Sequence, residues 1–157
     1  MAGTAEEVAF REVGISYLAR QWKDENKIIL MAIIPAVAFG LIHVTNSVTS
    51  MGFSAALTQA LMALFIGVFF SAVYLRTGNI WPIILCHSMH DILASSAAVN
   101  EEALGIEFPD WFIPVLGVFE GLLFVCGLYM LRKSKRAEII ALWNHRWSSD
   151  TSAAEKE

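Results

Sequence analysis

Four long apolar runs dominate this sequence and limit the folds that it can adopt. Crossing the hydrocarbon core of a bilayer, roughly 30 Å thick, takes about 20 helical residues. Hydrophobic residues make up 56% of the chain and charged residues 17%, which is typical of a protein that lives in lipid. The runs that are long enough are Ile28–Val44, Phe53–Leu75, Ile80–Val99 and Trp111–Leu131. The sequence therefore predicts an all-α, polytopic transmembrane helical bundle with four long spans.

A more polar segment, Thr4–Arg20, precedes the first run and has the pattern of a further helix. Thr4 and Glu7 match a capping box, and apolar residues recur on one face after them. The start of the chain is acidic rather than basic, which is unlike a secretory signal peptide. We expect this helix to pack against the four spans, because it is too polar to face lipid on all sides.

Among the connections that flank the four spans, alternate ones contain basic residues. They occur within Arg20–Lys27, at Arg76 and within residues 132–136. The two intervening loops, Thr45–Gly52 and Asn100–Asp110, contain neither Lys nor Arg. The positive-inside rule therefore places the first connection and the C-terminal tail in the cytoplasm.

The residues after the last span predict a short helix followed by a tail. Ile140, Trp143 and Trp147 follow helical spacing behind the basic cluster. We expect this helix to lie on the membrane surface, with packing on the bundle as the open alternative. Ser148–Glu157 is expected to be a disordered tail, so that residues 4–147 form a single domain.

Three groups of polar residues interrupt the apolar sequence. They are Glu6, Glu7 and Arg11 in the first helix, Phe39 and His43 in the first span, and His87, His90 and Asp91 in the third span. Ionisable side chains at membrane depth are costly unless they are paired or face water. The helical rise of about 1.5 Å per residue puts the acidic and histidine side chains of these groups in one broad layer. The sequence therefore predicts that they form one reaction centre.

In order and spacing, the three groups match the motifs of a known family. The motifs EExxxR, FxxxH and HxxxN are those of the type II CAAX prenyl endopeptidase family, and this chain resembles it over about Thr4–Val99. The family is also called the CPBP, or bacteriocin-processing and self-immunity (ABI), family of intramembrane proteases. The stretch Gly67–His87 is also similar to the family's sequence ahead of its third motif.

Two departures from the family pattern affect the interpretation. The third motif ends in Asp91, where the family has Asn. Members of the family usually have membrane helices ahead of the first motif, whereas this chain begins at it. We therefore expect a minimal or a truncated form.

The resemblance implies an intramembrane endopeptidase that hydrolyses peptide bonds with activated water. It assigns Glu6 as the general base and His43 as the residue that helps to hold the water. His87 and the residue at position 91 would form the oxyanion site. In this interpretation the catalytic residues are Glu6, His43, His87 and Asp91.

Other polar residues are expected to support the site. Arg11 lies one turn after Glu7, a spacing typical of an ion pair that stabilises a helix. Phe39 is interpreted as a packing residue and His90 as a further partner of the site. Glu120, in the middle of the last span, has three open interpretations: a pair with Arg11, contact with substrate, or a protonated acid.

Asp91 can serve an oxyanion site in two ways. A protonated Asp91 can donate a hydrogen bond, as Asn would, whereas an ionised Asp91 can only accept one. In the second case it would accept from His87 and leave that ring as the main donor. We expect the protonated form, because the position lies well inside a predicted span.

We expect no cofactor. Glu, His and Asp side chains can bind zinc, which is the less favoured alternative, but there is no HExxH motif and the resemblance argues against a metal. The expected partners are the lipid bilayer and a membrane-associated protein or peptide substrate, prenylated or not. Nucleic acid is not expected, because the sequence has no basic stripe. The resemblance also implies a multi-pass protein in a prokaryotic plasma membrane.

Two other classes of function stay open at this point. The chain is also compatible with a catalytically silent membrane immunity or scaffold protein of the same family. A proton or ion conductor is the weakest alternative, because it should carry polar residues along the length of several helices.

Overall fold

In the computed structural model, residues 2–49, 52–105 and 109–154 are described, with side chains for 3–49, 52–94, 105 and 109–146. Among these residues every regular element is helical. The elements are α1 (Ala2–Glu7), a π-helical segment (Val8–Ile15), α2 (Ser16–Trp22), α3 (Ile28–Val44), α4 (Phe53–Thr77), α5 (Trp81–Leu104), α6 (Phe112–Met130) and α7 (Lys133–Ala154). Short 3₁₀ turns, Glu25–Lys27 and Thr45–Val48, flank α3.

Within the described part of the chain, three helices are long and apolar enough to cross a membrane. They are Glu25–Val48, which includes α3 and its flanking turns, Phe53–Thr77 and Phe112–Met130. Three of the four predicted spans are thus confirmed by length and composition. The fourth, Ile80–Val99, is helical as part of α5, but its crossing of the membrane stays a prediction.

The N-terminal segment is one continuous helical rod over residues 2–22, and it includes the predicted helix Thr4–Arg20. Its central part is π-helical, with about one extra residue per turn, a geometry that often occurs at functional sites. α1 packs against α5 at Gly3, where an added Cβ would lie 3.0 Å from Asp91 Oδ2 and 3.2 Å from His87 Cγ. A side chain at this position would crowd both residues, so the glycine favours the close approach that brings the first and third polar motifs together.

Small residues let the membrane helices approach closely. At Gly40 of α3, a Cβ would lie 2.8 Å from the Ala60 carbonyl oxygen of α4. At Gly127 of α6, a Cβ would lie 3.0 Å from Phe69 Cα of α4. α4 is therefore the central helix, packed against α3 on one side and α6 on the other.

α7 folds back onto the bundle. The Trp143 indole is buried and its Nε1 donates to the Leu75 carbonyl oxygen at 3.0 Å. Arg146 pairs with Glu12 at 3.0 Å and donates to the carbonyl oxygen of Gly78, the left-handed residue (φ 63°) that ends α4. These contacts join α7 to the π-helical segment and to the end of α4.

A surface ion cluster adds to this attachment. Glu138 of α7 accepts hydrogen bonds from Lys135 at 2.8 Å and from Arg76 of α4 at 3.0 Å. These hydrogen bonds hold the pKa of the Glu138 carboxyl below its usual value. Because the cluster is exposed, its contribution to stability is small.

The structure favours packing of α7 on the bundle over a position on the membrane surface. Ile139 and Trp143 are buried against the bundle, while Ile140 is half-buried. The third predicted residue of this face, Trp147, lies outside the described side chains. α7 is thus a packed helix, because an indole with a buried hydrogen-bond partner is no longer available to the membrane interface.

The disorder of the tail Ser148–Glu157 stays a prediction, although the backbone is helical over most of this segment. α7 continues to Ala154, and residues 155–157 lie outside the described part of the chain. The sequence from 133 to 154 contains neither Gly nor Pro, so nothing in it stops a helix that is already anchored at Trp143.

Candidate active site

A buried ion pair lies at the centre of the polar residues. Arg11 Nη1 donates to Glu7 Oε1 at 2.9 Å, and both side chains are 0% exposed. Arg11 Nη2 donates to the carbonyl oxygen of Gly67 in α4 at 3.3 Å, and the guanidinium lies 4.7 Å from the centre of the Phe39 ring. The predicted pair between Glu7 and Arg11 therefore forms, and it also ties the N-terminal rod to α3 and α4.

The same carboxylate also binds the third motif. Glu7 Oε1 lies 2.7 Å from His87 Nδ1. Arg11 is always charged, so its partner Glu7 is ionised and can only accept hydrogen bonds. The proton of this bond is therefore on Nδ1 of His87. Sequence analysis missed this contact and treated Glu7 only as the partner of Arg11.

The other ring nitrogen of His87 faces two further carboxylates. Nε2 lies 3.5 Å from Glu6 Oε2 and 3.5 Å from Asp91 Oδ1. The His87 side chain is buried, whereas Glu6 and Asp91 are 32% and 39% exposed. Glu6 and Glu7 thus differ sharply in environment: one is accessible, and the other is enclosed.

The second motif joins the site through aromatic contacts. The Phe39 ring lies 4.7 Å from the His43 ring and 5.6 Å from the His87 ring, both edge-on. Phe39 also contacts Phe10 edge-on at 5.4 Å, which agrees with a packing role. Members of all three motifs therefore meet around His87 and Phe39.

The tautomer of His43 follows from its hydrogen bond. Nδ1 lies 2.8 Å from the carbonyl oxygen of Phe39, which can only accept. Nδ1 therefore carries a proton, which leaves Nε2 as the nitrogen that can face a bound molecule. The His43 side chain lies on the wall of a cavity, so it can accept a hydrogen bond from a molecule bound there.

That cavity has a volume of about 500 Å³ and lies between the spans and α5. Of the predicted catalytic residues, His43, His87 and Asp91 line it. Glu6 contacts His87 but is not part of the wall. Most of the remaining wall is apolar, contributed by α4 and α6.

Two more ionisable residues line the cavity. His90 Nε2 lies 3.9 Å from Glu120 Oε1 of α6. The sequence left three interpretations of Glu120 open. In the structure its carboxyl group lies beside His90 rather than Arg11. His90 thus contacts an acid of the last span, in addition to sharing a helix with the third motif.

No group of three or more His, Cys, Asp and Glu side chains within the described residues is arranged to hold a metal ion. The carboxylates around His87 are engaged with that ring and with Arg11.

The fold and this site define a class of protein: a helical membrane protein whose carboxylates and imidazoles, carried on separate helices, meet beside an internal cavity. The family model described as type II CAAX prenyl endopeptidase Rce1-like matches residues 1–93, more than half of the chain. The chain therefore belongs to the type II CAAX prenyl endopeptidase family, a family of membrane proteases, and the sequence-based resemblance is confirmed. All three motifs fall within the match, whereas Glu120 falls outside it. No curated protein and no solved structure is similar enough to count as a match.

The buried pair gives a prediction about stability. Glu7→Gln should lower the free energy of unfolding by about 3–5 kcal/mol, because it leaves the Arg11 guanidinium buried without its counter-charge. Glu6→Gln, at a partly exposed position, should lower it by less than about 1 kcal/mol. Denaturant titrations of both variants in detergent micelles measure the difference. Equal losses in the two variants would show that Glu7 is no more structural than Glu6.

Proposed function

We propose that this protein is an intramembrane endopeptidase that cleaves membrane-associated proteins or peptides. The observation that carries the proposal is the convergence on His87. Of the two carboxylates of the first motif, Glu7 is hydrogen-bonded to Nδ1 and Glu6 lies 3.5 Å from Nε2, while Phe39 of the second motif contacts the ring edge-on. Three motifs that lie far apart in sequence thus meet at one imidazole beside a cavity.

Glu6 is the proposed general base. Glu7 is fully enclosed and already holds Arg11 and His87, so it has no free access to a water molecule. Glu6 is 32% exposed, lies 3.5 Å from His87 Nε2 and accepts no side-chain hydrogen bond within the described residues. Its carboxylate can take a proton from water as the water oxygen attacks the peptide carbonyl carbon. The unprotonated Nε2 of His43 is an acceptor that helps to orient the same water.

His87 and Asp91 are the proposed donors to the oxyanion. His87 Nδ1–H is committed to Glu7, so the ring donates to substrate from Nε2, and only when that nitrogen also carries a proton. The Glu7 carboxylate stabilises this doubly protonated ring and fixes its orientation. When the C–N bond breaks, the proton held by Glu6 passes to the leaving amine, giving a carboxylate and an amine as products.

The chemistry proposed here uses side chains and water without a cofactor. The mostly apolar wall of the cavity suits a peptide that carries hydrophobic side chains, including a prenylated CAAX-type tail. α5 would be the fourth membrane helix in this proposal, which puts His87 and Asp91 inside the bilayer and the C-terminal helix on the cytoplasmic side.

The role of Glu6 can be tested by an isosteric change. Glu6→Gln should reduce the rate of cleavage of a membrane peptide by at least about 100-fold while the protein stays folded, because an amide cannot accept the proton. Glu25→Gln, an exposed change in the first connection, is the control and should cleave at the wild-type rate. Cleavage in reconstituted vesicles, followed by mass spectrometry, measures both.

Two results of that assay would contradict the proposal. Retained activity in Glu6→Gln would assign the base to another residue. A wild-type protein that cleaves none of a diverse set of prenylated and unmodified peptides would favour the catalytically silent member of the family.

The role of Asp91 is tested by restoring the family residue. If Asp91 acts as a protonated donor, Asp91→Asn should preserve or raise the rate, because Asn donates from the same place. The variant should also lose any dependence of the rate on the protonation of residue 91, because Asn does not ionise. Rate profiles over pH for the two proteins check both expectations. Loss of activity in Asp91→Asn at every pH would show that an ionised Asp91 is needed to hold His87.

A further inference from the structure

Glu120 is a buried acid that the proposed mechanism does not use. It lies in α6, outside the part of the chain matched by the family, and its side chain is 3% exposed. Its Oε2 atom is buried and has no hydrogen-bond partner within the described residues. Its Oε1 atom lies 3.9 Å from His90 Nε2, which is too long for a hydrogen bond. A carboxyl group buried in this way costs several kcal/mol unless something pairs with it.

Glu120 is the carboxyl group of the cavity wall that the proposed mechanism leaves unused. None of the described lining residues is a Lys or Arg that could pair with it. Arg11, the buried cation of the site, is bound to Glu7 and to the Gly67 carbonyl. A cationic group that entered the cavity would therefore find the Glu120 carboxyl group without a basic partner, whereas an anionic group beside it would meet the same carboxyl with no Lys or Arg to bind it.

The surroundings of Glu120 also suit a long side chain. Met62, Ile66, Ile113 and Leu116 line the same cavity and offer an apolar path to the carboxyl group. Lys and Arg combine an apolar stem with a charged head, so they can pack on such a wall while the head reaches an acceptor.

We propose that Glu120 is a specificity-determining residue, which binds the ammonium or guanidinium group of a Lys or Arg side chain in the peptide substrate. The proposal rests on the proposed function, because it takes the cavity to be the place where peptide binds. His90, 45% exposed and adjacent to Glu120, forms the other side of this subsite. Glu120 recognises substrate here and takes no part in bond cleavage.

Binding can be measured without turnover by using the Glu6→Gln protein in lipid nanodiscs. The probes are pairs of membrane peptides, and the two members of a pair differ only by Lys or norleucine at one position. Each pair tests a different position along the peptide. At one position, the Lys peptide should bind about tenfold or more tightly than the norleucine peptide. Adding Glu120→Gln should abolish the preference and leave the affinity for the norleucine peptide unchanged. Adding Glu138→Gln instead, an exposed carboxylate of α7, should keep the preference.

A second measurement needs no change at Glu120 and covers the case in which that variant fails to fold. A peptide with Glu at the selected position should bind more weakly than the norleucine peptide. Equal binding of the Lys, norleucine and Glu peptides would overturn the proposal, as would a Lys preference that survives Glu120→Gln. Cleavage by the wild type without any Lys preference would refute this inference alone. If the wild type prefers the Lys peptide in binding but cleaves no peptide, the proposed peptidase activity would be refuted and the proposed binding site at Glu120 would stand.

Discussion

The Glu7 carboxylate holds a guanidinium and an imidazole together inside a membrane bundle, and the arrangement of the site depends on this contact. One oxygen, Oε1, accepts from Arg11 at 2.9 Å and from His87 at 2.7 Å. None of these side chains would be stable alone in an apolar interior, because each carries a charge or a buried polar group. Together they pair the two charges through Glu7 Oε1 and fix the His87 ring in one orientation. The accessible acids, Glu6 and Asp91, then face its remaining nitrogen.

Close packing of the helices at glycines allows Glu7, Arg11 and His87 to meet. Gly67 has no side chain, so the Arg11 guanidinium can approach its carbonyl oxygen, and a Cβ there would lie 3.1 Å from Arg11 Nη2. Gly3 has the same effect between α1 and α5. Within the π-helical segment, Glu12 is held by Tyr74 of α4 at 2.5 Å and by Arg146 of α7. Arg11 and Glu12 thus attach the helix that carries the first motif to both α4 and α7.

Sequence analysis predicted the parts of this arrangement that depend on local spacing. Side chains four residues apart share a helix face, which is why the Glu7–Arg11 pair forms as predicted. Membrane spans follow from apolar length alone, so three of them were predicted within a few residues. The contact of Glu7 with His87 depends on how the N-terminal rod is rotated, and an α-helical pattern does not predict a π-helical segment. The placement of Glu120 beside His90 depends on how α5 and α6 lie around the cavity, which local sequence patterns do not predict. The sequence also did not predict whether Trp143 is buried, because an apolar helix face fits a membrane surface and a protein surface equally well.

The protonation of His87 tests the central claim most directly, since the claim is that an ionised Glu7 holds this ring through Nδ1. Nitrogen-15 NMR of histidine-labelled protein in bilayers, with His87 assigned by substitution, reads the proton on each ring nitrogen. We predict that Nδ1 of His87 is protonated and strongly hydrogen-bonded in the wild type, and that this signal shifts in Glu7→Gln but not in Glu25→Gln. A His87 ring with an unprotonated Nδ1, or a signal that does not respond to Glu7→Gln, would contradict the account.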